Sequence, residues 1–200
     1  YKIERIGGAG GMSMHKDDLR SKKIVFVANC LLNANNKVFE VARYAGMFSE
    51  VIQILDEYGF GIIQMPCPET LYCGNQRWHT TRNLYDNVGY RRFCQSMAEP
   101  MADYMENYAK VGYEVAGILT CDGSPSCGIT KSSYCEDWGG RPKAIPRTLV
   151  DLPGIYMEEL LALLKERGIQ IPPVYGLPMD DYEKSTQEIL DDFRAYAKNW

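Results

Sequence analysis

Residues 115–130, VAGILTCDGSPSCGIT, decide the fold because they join an apolar run to a loop of small and polar residues. The run from Val115 to Leu119 has the length and composition of a strand. The glycines after it allow tight backbone turns, and Pro125 stiffens the loop, which also carries two cysteines. In a parallel α/β sheet, ligands bind just beyond the carboxyl ends of the strands. This stretch therefore predicts a functional site at a sheet edge.

Two other apolar runs end in the same way. Lys23–Ala28 leads to Cys30, and Gly61–Met65 leads to Cys67. A segment with helical spacing separates these two runs, so parallel pairing with a right-handed crossover is expected. We predict an α/β fold, namely a single three-layer Rossmann-like domain with a mostly parallel sheet. In that fold Cys30, Cys67 and Cys127 would meet at one edge.

The remaining segments alternate between helical periodicity and its absence. The predicted helices cover residues 48–58, 93–108 and 156–164, and a fourth begins at Asp180 or Asp181. Residues 169–175 are predicted to form an edge strand, because they include two prolines. Segments 70–87 and 132–153 lack a clear period, and the first is interpreted as a long functional loop or lid.

The N-terminal residues 1–23 do not resemble part of the core, despite their glycine-rich segment. No convincing strand precedes those glycines, as a phosphate-binding loop would require. We interpret this stretch as a linker or as an extension left from expression. The domain proper is predicted to cover residues 24–200.

Composition restricts the classes of function. The chain has 200 residues and 46% hydrophobic content, enough for one domain with a real core. Its net charge of -4 argues against a large nucleic-acid surface and favours a small substrate or a protein partner. No apolar run approaches the roughly 20 residues that span a bilayer, and no signal-peptide pattern is visible. A cytoplasmic protein is expected, and a homo-oligomer is left open.

Seven cysteines cannot all pair in disulfides, because their number is odd. In a reducing cytosol they indicate metal binding or catalysis. Cys73, Cys94 and Cys135 are predicted to be buried structural thiols, as free cysteines commonly are. For Cys121 three roles stay open: a fourth metal ligand, a persulfide carrier or a buried thiol.

Three motifs together resemble the signatures of the thiouracil desulfurase family. The motifs are Asn29-Cys30-Leu31-Leu32-Asn33, Cys67-Pro68-Glu69 and Ser124-Pro125-Ser126-Cys127-Gly128. The resemblance spans residues 24–177, and it is strongest to a divergent branch of desulfidases. It implies a 4Fe-4S cluster bound by Cys30, Cys67 and Cys127. It also implies non-redox removal of sulfur from a small thiolated compound such as 2-thiouracil.

A three-cysteine cluster would leave one iron open for the sulfur of the substrate. Binding there would make the attached carbon easier for water to attack. Glu69 is the predicted base, and Asp122, Ser124 and Ser126 are predicted to position substrate or water. Glu69 could equally be a solvated or helix-capping carboxylate, and the two serines could equally be turn residues that bond local backbone.

The loop 70–87 carries the predicted substrate-binding residues Arg77, Trp78 and His79. Stacking and a guanidinium fork suit a planar heterocycle. Two other functions fit the same residues. One is a structural zinc or iron-sulfur binding module, and the other is a hydrolase or sulfurtransferase with Cys121 or Cys127 as nucleophile.

Overall fold

Parallel strands form the centre of the protein, for which a computed structural model describes residues 18–137, 139, 148–178 and 186–199. The strands are β1 (Lys23–Ala28), β2 (Gly61–Met65), β3 (Glu114–Asp122), β4 (Ser132–Tyr134), β5 (Thr148–Val150) and β6 (Val174–Pro178). The helices are α1 (Asn29–Leu32), α2 (Ser49–Glu57), α3 (Pro68–Cys73), α4 (Arg82–Tyr85), α5 (Val88–Lys110), α6 (Ile155–Glu166) and α7 (Thr186–Lys198).

The central sheet has four parallel strands in the order β2-β1-β3-β6. Helix α5 packs against α6, and α2 packs against α7, so helices flank the sheet. These features confirm the predicted α/β fold with three layers and a mostly parallel sheet. Strands β4 and β5 form a separate antiparallel pair.

The two central strands supply the middle of the core. Val25, Phe26 and Val27 of β1 are fully buried, as are Ile118 and Leu119 of β3. Each such side chain stabilises the fold by about 1.5–3 kcal/mol relative to an exposed one. A continuous apolar run is what a parallel strand covered on both faces requires.

The strand order reverses between β1 and β3. From β1 the chain moves outward to β2, and it then crosses back to form β3 on the other side of β1. Such a reversal opens a crevice at the carboxyl ends of the two strands, and open α/β sheets bind ligands there. Cys30 follows β1 and Cys121 lies near the end of β3, so two thiols border this crevice.

Strand β3 runs to Asp122, three residues beyond the apolar run that predicted it. Its polar end pairs with β6, in which Gly176 lies opposite Thr120. A Cβ atom at Gly176 would lie 2.4 Å from the carboxyl carbon of Asp122. Glycine there allows the two strands to continue side by side, and hydrophobicity alone could not reveal this pairing.

The last strand of the sheet is an edge strand, as predicted, but its predicted range 169–175 was wrong. It begins at Val174 because Pro172 and Pro173 have no amide hydrogen to donate to a ladder. The carbonyl of Pro173 nevertheless accepts a hydrogen bond from the amide of Ile118 at 2.9 Å.

Both segments that lacked a period contain regular structure. The segment 70–87 contains most of α3 and all of α4, and 132–153 contains the hairpin strands β4 and β5. Helix α5 begins at Val88, earlier than the predicted residue 93, because the side chain of Asn87 accepts a hydrogen bond from the amide of Tyr90 at 2.9 Å.

Several predictions fall on residues outside the described part. These are most of the N-terminal extension, residues 1–17, and the cap at Asp180 or Asp181. At the start of the described chain, the carbonyl of Lys22 accepts a hydrogen bond from the amide of Glu114 at 2.9 Å. Within the described residues, none of the helices has both the length and the apolar character needed to cross a membrane.

Gly154 joins α6 to the loop that carries Cys127, and we expect Gly154→Ala to destabilise the protein. The new Cβ would lie 2.4 Å from the carbonyl carbon of Ser126 and 2.8 Å from the amide nitrogen of Cys127. The carbonyl of Ser126 is already bonded to α6, so this backbone has little room to move. The free energy of unfolding in urea should fall by about 1–3 kcal/mol.

The matched control is Gly46→Ala, because a Cβ at Gly46 meets no atom within 4 Å. Its free energy of unfolding should stay within about 0.5 kcal/mol of wild type. Equal stability of the two variants would contradict the close approach of α6 to the loop.

Candidate active site

A cavity of about 430 Å³ opens where β1, β2 and β3 end. This volume lies within the range of about 300–1,000 Å³ typical of small-molecule sites. The wall includes three strand-end cysteines, the loop after β1 and part of the β4-β5 hairpin. The sequence-predicted residues that line it are Cys30, Cys67, Glu69, Arg77, Trp78, His79, Asp122 and Ser124.

Cys30 and Cys121 contact each other across the crevice between β1 and β3. A hydrogen bond with Cys121 raises the pKa of Cys30, and burial raises it further. The same hydrogen bond lowers the pKa of Cys121 to about 7 against the effect of burial, assisted by the charge of Lys37. The ammonium of Lys37 lies 3.5 Å from the Cys121 sulfur.

Cys127 lies behind the cavity wall and not on its surface. The residue is buried, and its amide donates a hydrogen bond to the hydroxyl of Ser124 at 3.1 Å. Burial raises the pKa of the Cys127 thiol well above its usual value, and electrostatic interactions with Cys67 and Glu69 raise it further. Cys127 is therefore close to the other thiols, although it packs in the core.

Metal binding at this site depends on how the thiols are arranged. Among the described residues, no group of three or more His, Cys, Asp or Glu side chains is arranged around a single metal ion. A four-iron cluster makes a different demand, because its cysteines bind different irons. The free thiols of Cys30, Cys67, Cys121 and Cys127 provide a soft donor set in one region. Thiolates are the usual ligands of iron-sulfur clusters, and of these four residues Cys30, Cys67 and Cys121 line the cavity whereas Cys127 lies behind its wall.

Glu69 lies in the first turn of α3, immediately after Pro68. One carboxylate oxygen accepts a hydrogen bond from the Arg77 Nε at 3.1 Å, and the other accepts one from the Ser124 hydroxyl at 3.2 Å. The hydroxyl of Tyr85 lies 3.5 Å from the first oxygen. The carboxylate is thus held in the wall, two residues from Cys67.

Arg77 is engaged with the protein, in contrast to its predicted contact with substrate. Besides Glu69, its guanidinium donates to the hydroxyl of Thr70 at 3.1 Å and to the carbonyls of Gly74 at 3.3 Å and Asn36 at 2.9 Å. Its side chain is only 5% exposed. Arg77 therefore positions Glu69 and ties α3 to the loop after β1. Trp78, at 87% exposure, and the exposed His79 remain accessible in the cavity wall.

Asp122 organises the loop that follows β3. Its Oδ1 accepts hydrogen bonds from the amides of Ile129 at 2.8 Å and Thr130 at 3.1 Å, and its Oδ2 accepts one from the Thr130 hydroxyl. Both oxygens thus hold protein groups, so its predicted role in positioning substrate gives way to holding the loop. Asp122 is a buried residue in the cavity wall.

The two serines of the loop have different surroundings. Ser124 accepts hydrogen bonds from two loop amides and donates one to Glu69. It therefore both stabilises the turn and orients the carboxylate of the site. Ser126 does not line the cavity: it is fully buried, with its hydroxyl 2.8 Å from that of Tyr90. The position of Ser126 fits support of the loop from behind, and not the predicted contact with substrate.

Lys37 is the residue of the site that the sequence did not reveal. It lies in the asparagine-rich loop after β1, is only 8% exposed and lines the cavity. Burial opposes its charge, yet the neighbouring Cys121 and Cys30 raise the pKa of Lys37 above its ordinary value. Its location beyond the end of a predicted strand was the available signal.

The remaining cysteines were predicted to be buried structural thiols. Cys94 and Cys135 are buried, as predicted. Burial raises the pKa of Cys94 to about 12, as expected for a thiol in an apolar core. Cys73 is exposed at the end of α3, so its predicted burial was wrong. Cys73 lies in the last turn of this short helix, where the chain turns away from the cavity wall.

Comparison with known proteins identifies a relative of similar length. The chain is 32% identical over 167 residues to the uncharacterized protein MJ0003 of Methanocaldococcus jannaschii. The aligned region covers 83% of this chain and 94% of the archaeal protein. It is also 28% identical over 153 residues to a protein of Pyrenophora tritici-repentis named "Probable beta-galactosidase B". That match covers 73% of this chain but 14% of the fungal protein. No family model matches the chain, and no solved structure matches it.

The buried pair of Arg77 and Glu69 can be tested by a double-mutant cycle. Arg77→Met should lower the free energy of unfolding by about 3 kcal/mol, because it leaves a mostly buried carboxylate without its partner. In a Glu69→Gln background the same change should cost about 1–2 kcal/mol less. Urea unfolding of the four proteins gives the coupling energy, and strictly additive effects would contradict the pairing.

The control for this cycle is Arg167→Met. Arg167 pairs with Asp103 at the surface, where the carboxylate side chain is 60% exposed. Loss of such a pair should cost less than about 1 kcal/mol.

Proposed function

The chain belongs to the same protein family as the uncharacterized Methanocaldococcus protein, and we propose that it removes sulfur hydrolytically from a small thiolated compound. The observation that supports this most is the meeting of Cys30 and Cys67 in one cavity with a fixed carboxylate, Glu69, while Cys127 lies behind the same wall. 2-Thiouracil is the first compound to try, because the motifs around these cysteines resemble those of thiouracil desulfurases. We propose a cytoplasmic enzyme, because all seven cysteines are free thiols and a reducing compartment keeps thiols in that form.

We assign Cys30, Cys67 and Cys127 as the residues that would hold a 4Fe-4S cluster. When bound, the cluster supplies an open Lewis-acidic iron that draws electron density from the carbon bearing the substrate sulfur. The protein supplies a region from which bulk water is largely excluded, since Cys67, Cys121 and Cys127 are buried. Electrostatic effects are stronger in such a region.

Glu69 is the residue that would activate water. Its carboxylate would take a proton from the water whose oxygen attacks the carbon. The carbon-oxygen bond forms and the carbon-sulfur bond breaks. The sulfur leaves as hydrosulfide with one proton of the water, and Glu69 releases the other proton to solvent. No electron donor or acceptor is required. Arg77 and Ser124 hold the base in place by hydrogen bonds to its two oxygens.

Trp78 and His79 are proposed to contact the flat body of the substrate. Both are exposed side chains that line the cavity, and Thr148 and Leu149 of β5 contribute to the same wall. An accessible indole provides a large apolar face for a planar ring.

One observation favours a second candidate, a thiol-dependent hydrolase with Cys121 as nucleophile. Its hydrogen bond from Cys30 and the charge of Lys37 lower the pKa of Cys121 to about 7. A thiolate is the reactive form of cysteine. Activity in iron-free protein that alkylation abolishes would support this candidate against the desulfurase.

The cluster assignment predicts the iron content of four single variants. Cys30→Ser, Cys67→Ser and Cys127→Ser should each lose most of the iron and sulfide bound by anaerobically prepared wild type, because a hydroxyl is a poor ligand for a soft site. Cys94→Ser is the matched control, since Cys94 is buried in helix α5 and does not belong to a loop that follows a strand of the sheet. Equal iron in all four variants would refute the assignment.

The role of Glu69 predicts the activity of Glu69→Gln. This variant should keep its iron and release sulfide about 10²- to 10⁴-fold more slowly, because the amide cannot accept the proton. The assay supplies thiolated pyrimidines anaerobically without an electron donor, and it measures both sulfide and the oxygenated product. Glu50→Gln, an exposed change on α2, is the control.

Two outcomes of this assay would count against different parts of the proposal. Sulfide release that requires a reductant would refute hydrolysis itself. Full activity of Glu69→Gln would refute only the base.

A further inference from the structure

Lys37 brings a positive charge into the cavity wall without a carboxylate to balance it. The residue is 8% exposed, and no carboxylate of the described residues lies within ion-pair distance of its ammonium. The observed neighbours are the Cys121 sulfur at 3.5 Å and the ring of Tyr44, whose centroid is 5.6 Å away. An ammonium has three hydrogen-bond donors, and the contact with Cys121 uses one of them, so donors remain for a bound anion.

The acidic side chains of the same wall are occupied by other groups. Glu69 accepts hydrogen bonds from Arg77 and Ser124, and Asp122 accepts hydrogen bonds from its own loop. Neither carboxylate forms an ion pair with Lys37. Burial of a charge is unfavourable unless an opposite charge or strong acceptors compensate it.

The residue next to Lys37 also lacks an acceptor. Asn36 lines the cavity, and its amide nitrogen is buried with no hydrogen-bond partner in the described part of the chain. Buried polar groups are almost always paired, so such a nitrogen calls for an acceptor from outside the chain. An ammonium and an amide donor are thus adjacent in sequence on one wall.

We propose that Lys37 selects substrates that carry a carboxylate, so that the natural substrate is a planar thiolated compound with an anionic carboxylate group. A carboxylate accepts charge-assisted hydrogen bonds from an ammonium, which are about twice as strong as neutral ones. The thiolated part of this ligand rests on the proposed function, whereas the anionic part rests on Lys37 itself. Lys37 is thereby a specificity residue, distinct from the base and the thiols.

The test measures binding without chemistry. Calorimetry on anaerobically prepared, cluster-containing protein would compare uracil with its 6-carboxylate, the sulfur-free counterparts of a neutral and an anionic substrate. Wild type should bind the carboxylate at least about tenfold more tightly, as expected for one charged hydrogen bond. Lys37→Met should remove this preference while changing the affinity for uracil far less.

Lys131→Met is the matched control. Lys131 lies in the loop after β3, outside the cavity wall, and pairs with Asp151 at 3.8 Å. This variant should keep the full preference for the carboxylate. A preference that survives in Lys37→Met, or that disappears equally in Lys131→Met, would overturn the proposal.

Binding measurements on wild type alone also test the proposal, even if the variants are unstable. Equal affinity for uracil and its 6-carboxylate would overturn the role of Lys37. Sulfide release is measured separately, with 2-thiouracil and 6-carboxy-2-thiouracil. If neither compound releases sulfide, the proposed function fails for this substrate class, while the binding preference still tests the anion site.

Discussion

The carboxylate of Asp122 fixes the loop on which the cavity depends. Its hydrogen bonds to Ile129 and Thr130 fold the segment after β3 back onto the strand. Gly176 of the neighbouring strand leaves the space that this carboxylate occupies. The loop then presents Ser124 to Glu69 and holds Cys127 behind the wall. Loss of this interaction would disturb the thiols and the carboxylate together.

A continuous path of hydrogen bonds links the loops at the edge of the sheet. It runs from Ser124 to Glu69, then to Arg77, and ends at the carbonyl of Asn36 beyond β1. These bonds are largely shielded from solvent. Away from water each bond is stronger, and each missing partner costs more free energy. The cavity is for this reason a pre-organised site. Lys37 follows Asn36 directly, so the path also fixes where the cation lies.

Sequence patterns located the four strands of the central sheet, but they predicted neither the order of those strands nor the side-chain partnerships. Apolar runs located β1 and β2, and the polar loops after them indicated the edge where Cys30 and Cys67 line one cavity. The pairing of Arg77 with the carbonyl of Asn36 joins residues far apart in the chain, and no local pattern contains it. Lys37 was overlooked because a lysine in a polar loop usually faces solvent.

The order of the strands has a consequence for how the protein is made. Lys23 of β1 pairs with Glu114 of β3, so the crevice forms only after most of the chain has left the ribosome. Contacts between such distant residues require large loops to close, which slows folding. Until then, the sheet beside Cys30 and Cys67 is incomplete, and their thiols are exposed to oxidation and to non-specific metal binding. A reducing environment during synthesis would protect them in this interval.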